Sequence, residues 1–197
     1  MSAIPNPLNS NTDREFLVAL LRESREKFLG SFAGVSEEQS RIHPASDCWS
    51  VLDTVEHLTS AETLMLKLIT TQRRPRSADA ANREQVFLQV VADRSRKMQS
   101  PESGRPRGRF ATLAEGAEQF KATRDGVIQF VEQHPEDLRT SEVTHPHPAA
   151  GNVSTHEMVI IIAKHAERHA KQIEEIRNTL KGMAATPSGS KEDLVNE

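Results

Sequence analysis

The stretch Ser154-Thr-His-Glu157-Met-Val-Ile-Ile-Ile-Ala-Lys-His165-Ala-Glu-Arg-His169-Ala-Lys-Gln-Ile173 decides the fold of this chain. Ser154 followed three residues later by Glu157 has the spacing of a capping box, in which two side chains satisfy backbone N–H groups left unpaired at a helix start. The run Ile160-Ile-Ile-Ala163 buries much of the helix that follows, which is predicted from Met158 to about Leu180. His165 and His169 lie beyond that run. Four residues apart on a helix, they sit about 40° apart around the axis and roughly 6 Å along it, so both imidazoles share one face.

The same signals recur upstream. Thr112 with Glu115 caps a long helix carrying Leu113, Phe120, Val127, Ile128 and Val131. Ser50 with Asp53 starts another, with Val51, Leu52, Val55, Leu58, Met65, Leu68 and Ile69 near helical spacing, and Arg74-Pro75 ends it. Thr12 with Glu15 opens the first, containing Phe16, Leu17, Leu20, Leu21, Phe28 and Phe32 and closed by Gly34. Ser36 with Gln39 marks a short helical turn before Pro44. Residues 79–99 read as a weaker helix with Val86, Phe87, Val90 and Val91 on one side, and Pro101 to Gly108 as a loop.

Four long amphipathic helices, each needing to bury one face, predict an all-α four-helix bundle over residues 12–181. A long connection carrying a short accessory helix lies between the second and third long helices, where a crossover is expected. No internal repeat and no Asn-Gly hairpin signal stands out. Residues 1–11 and 182–197 are expected to be a flexible N-terminus and a disordered tail.

Composition agrees with a bundle. Aromatic residues make up 4% of the 197, with no tyrosine, too few to suit a β-sandwich. A formal net charge of −3 is too small for a nucleic-acid footprint. The basic clusters Arg73-Arg74-Pro-Arg76 and Arg105-Pro-Arg107-Gly-Arg109 read as solvated loops. The single cysteine, Cys48, excludes an internal disulfide and fits a reducing compartment. No apolar run reaches membrane-spanning length, and Met1 to Asn11 lacks the apolar core of a signal peptide. Cytoplasmic residence, with neither nucleic acid nor membrane as a partner, is the expectation.

A helical histidine is more often a surface or satisfied core residue than a ligand, so the pair at 165 and 169 is a weak signal alone. His57, in Glu56-His57-Leu58, strengthens it, because its helix also faces the core. Burying three unpartnered rings would cost roughly 1–3 kcal/mol each. A shared divalent cation satisfies all three and leaves a coordination position open, as catalytic sites do. Asp53 and Glu56 read either as outer partners of His57 or as a solvated helix face, and Glu62 is displaced around the helix. His156 reads as an ordinary first-turn residue, and His145 and His147 as surface features of a proline-rich loop. Cys48 reads as a packed small residue and Trp49 as a core or pocket-wall anchor. Gly-rich phosphate loops, Gly-x-Ser-x-Gly, His-Glu-x-x-His and Cys-x-x-Cys are absent from the sequence.

Trp49-Ser-Val-Leu-Asp-Thr-Val-Glu-His57-Leu, followed by Glu62, resembles the opening ligand motif of the DinB/YfiT-like superfamily, and His165-Ala-Glu-Arg-His169-Ala-Lys-Gln-Ile173 resembles its closing motif. Phe120-Lys-Ala-Thr-Arg124, Asp137-Leu-Arg139 and the stretch from His145-Pro to Gly151 are similar to the middle of its second DinB-like branch, so the resemblance spans residues 13–180. It implies a four-helix bundle holding nickel, zinc or iron through His57, His165 and His169, and a homodimer. Characterised relatives include thiol-dependent transferases acting with bacillithiol or mycothiol, a maleylpyruvate isomerase and the metal-binding domain of ergothioneine sulfoxide synthases. YfiT-like members have been called metal-dependent hydrolases. The implied activity is transfer of a low-molecular-weight thiol to a small electrophilic substrate. Metal-dependent hydrolysis and a non-catalytic, stress-related metal-binding role are the alternatives. An enzyme is expected to show an open metal face lined by polar groups such as Arg124 or Glu62, and a storage site to be closed by a fourth protein ligand.

Overall fold

Long helices α1 (Asn11–Ser31), α3 (Val51–Thr71), α5 (Leu113–Gln133) and α6 (Thr155–Ala185) are joined by segments that include short helices α2 (Glu37–Ser40) and α4 (Glu84–Val90). This is a computed structural model, and it describes residues 11–95 and 100–185. The capping patterns form where the sequence places them. Ser50 Oγ accepts from the Asp53 N–H at 3.1 Å, and Asp53 accepts from the Ser50 N–H at 3.0 Å. Ser154 and Glu157 make the same exchange at 3.0 and 2.8 Å, as do Ser36 and Gln39 at 3.2 Å each way. Thr112 Oγ1 accepts from the Glu115 N–H at 3.1 Å, but the Glu115 carboxylate turns to the N–H of Ala111. Helix α1 is already formed at Asn11 and α6 continues to Ala185, so Asn11 and residues 182–185 of the tails expected at 1–11 and 182–197 are helical. The rest of those tails and the Thr12 side chain lie outside the described residues.

Contacts between helices fix their directions. Gly116 backs onto Val55, Thr63 Oγ1 lies 3.2 Å from Thr123 Oγ1, and Glu62 binds Arg124, so α3 and α5 are parallel neighbours. Lys27 with Glu167 and Arg177 with Ser31 align α1 and α6 the same way. Arg14 bonding Val131 and Arg25 bonding Asp125 set α1 against α5. The bundle therefore runs up-down-down-up, with α1 and α3 each packed on both α5 and α6. Parallel neighbours joined in sequence need a connection that returns the length of the bundle. Residues 72–112 make that crossover.

Two parts of the sequence reading are corrected in these connections. Among the described residues, the helix expected over 79–99 forms only at Glu84–Val90. Phe87 is its one buried apolar residue, while Val86 and Val90 stay exposed, and beyond it the Asp93 carboxylate draws the Ser95 N–H and hydroxyl into a turn. Residues 96–99 of that expected helix lie outside the described residues. The second correction concerns the missing hairpin signal: the all-α four-helix bundle stands, but its connections also hold a small antiparallel sheet, β1 (Arg74–Pro75), β2 (Ser141–Thr144) and β3 (Asn152–Ser154), in the order β1-β2-β3. Strands this short carry too few alternations to register as a pattern of period two. Val143 and Val153 pair in it and are both buried. The turn between them closes through the His145 N–H to the Gly151 carbonyl at 2.9 Å, with Gly151 at φ 62°, where a side chain is disfavoured.

The core has two apolar halves. Leu17, Leu21, Met65, Ile69, Val127 and Met158 belong to one, and Phe28, Val51, Val55, Leu58, Phe120 and Ile173 to the other. Ser24, Glu62 and Arg124 sit between these sets along their own helices. Arg124 is fully buried and donates to both Glu62 oxygens, to the Leu21 carbonyl and to Ser24 Oγ. All the Arg124 donors bound here face protein acceptors, so the expectation that Arg124 or Glu62 lines an open face is corrected: the pair forms a polar layer inside the bundle. No helix among the described residues is long and apolar enough to cross a membrane.

Candidate metal centre

Because α3 runs against α6, the second turn of α3 lies beside the middle of α6, and His57 meets His165 and His169 there. One ring nitrogen from each lies within 4.8 Å of the other two. Nε2 of His165 and Nε2 of His169 are 2.9 Å apart, and the His57 ring centroid is 5.3 Å from that of His165 and 4.8 Å from that of His169. Among the described residues no carboxylate, thiol or further imidazole joins this group.

The outward nitrogens differ in their partners. His57 Nδ1 donates to the Gly104 carbonyl at 2.6 Å, and His169 Nδ1 to Gln172 Oε1 at 2.9 Å. Nδ1 of His165 is buried with no hydrogen-bond partner. Burial pushes all three rings below the ordinary histidine pKa, against a small opposing effect of the Gly104 bond at His57 and of Gln172 at His169. Mutual repulsion of the rings adds to the lowering at His165 and His169. The three imidazoles are therefore neutral at pH 7, the state a metal ion requires.

Trp49 completes one wall, its ring centroid 4.7 Å from that of His57 and 6.4 Å from that of His169, as a pocket-wall anchor. Cys48 beside it is half-buried, with Sγ 3.7 Å from Asp47 Oδ1. Asp53 is spent on the helix cap. Glu56 is not a solvated residue: it is 2% exposed, and its carboxylate accepts the backbone N–H groups of Arg107 at 2.6 Å and Arg109 at 2.9 Å. The loop expected over Pro101 to Gly108 thus docks on α3, with a 3-10 turn at Glu102–Gly104 presenting its last carbonyl to His57. Arg109 Nη1 reaches Ser60 Oγ at 2.9 Å.

The remaining histidines lie elsewhere. His145 Nδ1 accepts from the His147 N–H at 2.9 Å and organises the β2–β3 turn. His156, read as an ordinary first-turn residue, is 2% exposed with Nδ1 3.2 Å from Glu84 Oε1. The cluster at 73–76 is tied down as well: Arg73 reaches His134 Nε2, Arg74 pairs with Glu142, and Arg76 lies 3.6 Å from Glu157. Sequence reasoning missed Gly104, Gln172 and Arg94 altogether. Gln172 could have been found, since its position three residues after His169 puts it on the same helical face.

Three converging neutral imidazoles inside an up-down-down-up four-helix bundle define the architecture of a candidate metalloprotein. The chain belongs to the DinB superfamily, whose family model matches residues 20–173. The uncharacterised protein YuaE of Bacillus subtilis (strain 168) is 22% identical over 163 residues, covering 83% of this chain and 98% of YuaE. Among solved structures, YfiT from Bacillus subtilis, described as a probable metal-dependent hydrolase with an unusual four-helix bundle topology, aligns at TM-score 0.59 and 13% identity over 91% of this chain and 94% of its own. A conserved protein from Enterococcus faecalis aligns at TM-score 0.58 and 14% identity over 85% of this chain and 96% of its own. At these identities the two structures show a shared fold.

Proposed function

We propose that this chain is a divalent-metal enzyme acting on a small molecule, with the ion held by His57, His165 and His169. The observation that carries this reading is the convergence of three imidazole nitrogens with no fourth protein ligand among the described residues. The residues present fit such an ion. Their neutral state suits them as ligands, and acceptors behind His57 and His169 turn two lone pairs inward, with His169 Nε2 facing His165 Nε2 at 2.9 Å. Three imidazoles suit zinc, nickel and iron as donors.

When bound, the ion would act as a Lewis acid that lowers the pKa of a water or thiol at an open position. The chain's own residues do the rest. Trp49 covers one side of the imidazoles, Gly104 and Gln172 hold the protons on the outward nitrogens, and Glu56 anchors the adjoining loop.

Within this class, transfer of a low-molecular-weight thiol to an electrophile is the reaction that the superfamily resemblance favours. Hydrolysis is the second reading, favoured by the likeness to YfiT. The test is to assay the metal-loaded protein and its His169→Ala variant against thiol-reactive electrophiles, with and without bacillithiol, mycothiol or glutathione, and against esters and amides. Thiol-dependent turnover lost in the variant supports transfer, and thiol-independent hydrolysis lost in the variant supports the second reading. Equal rates in variant and parent overturn both. Light scattering on the same samples tests the homodimer that accompanies this proposal.

A further inference from the structure

The connection between α3 and α5 touches two of the three histidines from behind. At His57 the contact is direct: the Gly104 carbonyl, which can only accept, lies 2.6 Å from Nδ1, so Nδ1 carries the proton and Nε2 is a bare lone pair. The turn is built for close approach. A Cβ on Gly104 would come within 2.7 Å of Ser100 Oγ and 3.6 Å of His57 Cε1.

At His169 the contact runs through a relay. The Gln172 amide can in principle present either its oxygen or its NH₂ to the ring. Arg94 decides which. Its Nη1 lies 3.2 Å from the same Gln172 atom that faces His169 Nδ1, and a guanidinium only donates, so that atom is the oxygen. Arg94 is in turn gripped by both carboxylate oxygens of Glu175, at 2.8 and 2.6 Å. Nδ1 of His169 therefore carries the proton, and its Nε2 is also a bare lone pair.

His165 has no such partner. Its Nε2 is 2.9 Å from the bare Nε2 of His169, so in the metal-free protein His165 Nε2 carries the proton and donates it, and its buried Nδ1 is an unsatisfied acceptor. To offer Nε2 to an ion, His165 must release that proton to solvent and take one at Nδ1, with no change of charge on the ring.

We propose that Gly104 and the Arg94–Gln172 relay preset the tautomers of His57 and His169 for ligation, and that His165 is the ligand that switches tautomer when an ion binds. The purpose of this device rests on the metal reading, but the tautomers of the metal-free protein do not. Arg94, Gln172 and Gly104 are positioning residues.

The experiment is long-range ¹⁵N–¹H NMR of the histidine rings in the full metal-free chain, paired with zinc affinity by chelator competition. The parent should show Nδ1–H at His57 and His169 and Nε2–H at His165, with His165 converting to Nδ1–H on zinc binding. Gln172→Leu should mix the tautomers of His169 and weaken zinc binding by about 10–100-fold. Gln172→Glu, which keeps an acceptor oxygen, should restore both. The His57 tautomer, set by Gly104, should stay unchanged in each variant and so reports that the site remains folded. A His169 tautomer unmoved in Gln172→Leu overturns the relay, and Nδ1–H at His165 in the metal-free parent overturns the switch. A parent that binds no zinc overturns the metal reading and the switch with it, whereas a scrambled His169 in Gln172→Leu still supports the relay.

Discussion

Arg124 donates to both carboxylate oxygens of Glu62, at 2.5 and 2.8 Å, with neither side chain exposed to solvent. A buried ion pair of this kind contributes little net stability, because desolvation offsets the attraction, but removing one partner strands the other charge. Arg124→Met or Glu62→Leu alone should cost about 3–5 kcal/mol, read by urea denaturation. The double variant should recover most of that loss. A double variant as unstable as either single one would show that the pair does more than neutralise itself.

The metal reading predicts a measurable loss on removing one histidine. Protein purified without a histidine tag should carry a divalent metal by elemental analysis, and His57→Ala should carry far less. Chelation should lower the parent's melting temperature, since an ion at 100 times its dissociation constant stabilises the native state by about 2.7 kcal/mol. His57→Ala should show no such chelator effect.

Stability of the metal-free protein should fall in two pH windows. His57, His165 and His169 have folded pKa values below the unfolded one, so the unfolded state binds more protons as pH drops below about 6.5, and stability declines from there. Glu84 adds a second window. Burial pushes its carboxyl up, but the His156 ring and the Arg139 guanidinium outweigh that and bring it to about 2. Its contribution, on the order of 1–3 kcal/mol, is complete above the unfolded carboxylate range and is lost as pH falls from about 4.5 toward 2. Urea midpoints across this range should show both declines, and Glu84→Gln should flatten only the acidic one.

Two helical glycines should respond in opposite directions. A Cβ at Gly116 would lie 2.8 Å from Val55 Cγ1 and 3.1 Å from Phe110 Cδ2, so Gly116→Ala should push α5 from α3 and cost about 1–3 kcal/mol. Gly30 in α1 has nothing within 4 Å of that position, and Gly30→Ala should gain roughly 0.5–1 kcal/mol from helix propensity. Thermal unfolding of the two variants reads the contrast directly.

By itself the sequence determined the four long helices and pointed to the three histidines that the fold brings together. Ser50 with Asp53, Ser154 with Glu157 and the apolar runs behind them act through neighbours three or four residues away, which spacing records. His165 and His169 share a face for the same local reason. The tertiary structure decided everything that depends on which helix lies beside which. The parallel pairing of α3 and α5 forces the crossover that brings Gly104 to His57 and Arg94 to Gln172, and it turns Glu56 from a surface residue into the anchor of a loop. It also set β1 against β2, since Arg74 pairs with Glu142 far away in sequence. A hydrogen bond between residues 57 and 104 leaves no periodic trace along the chain. It forms because packing has first brought the two elements together.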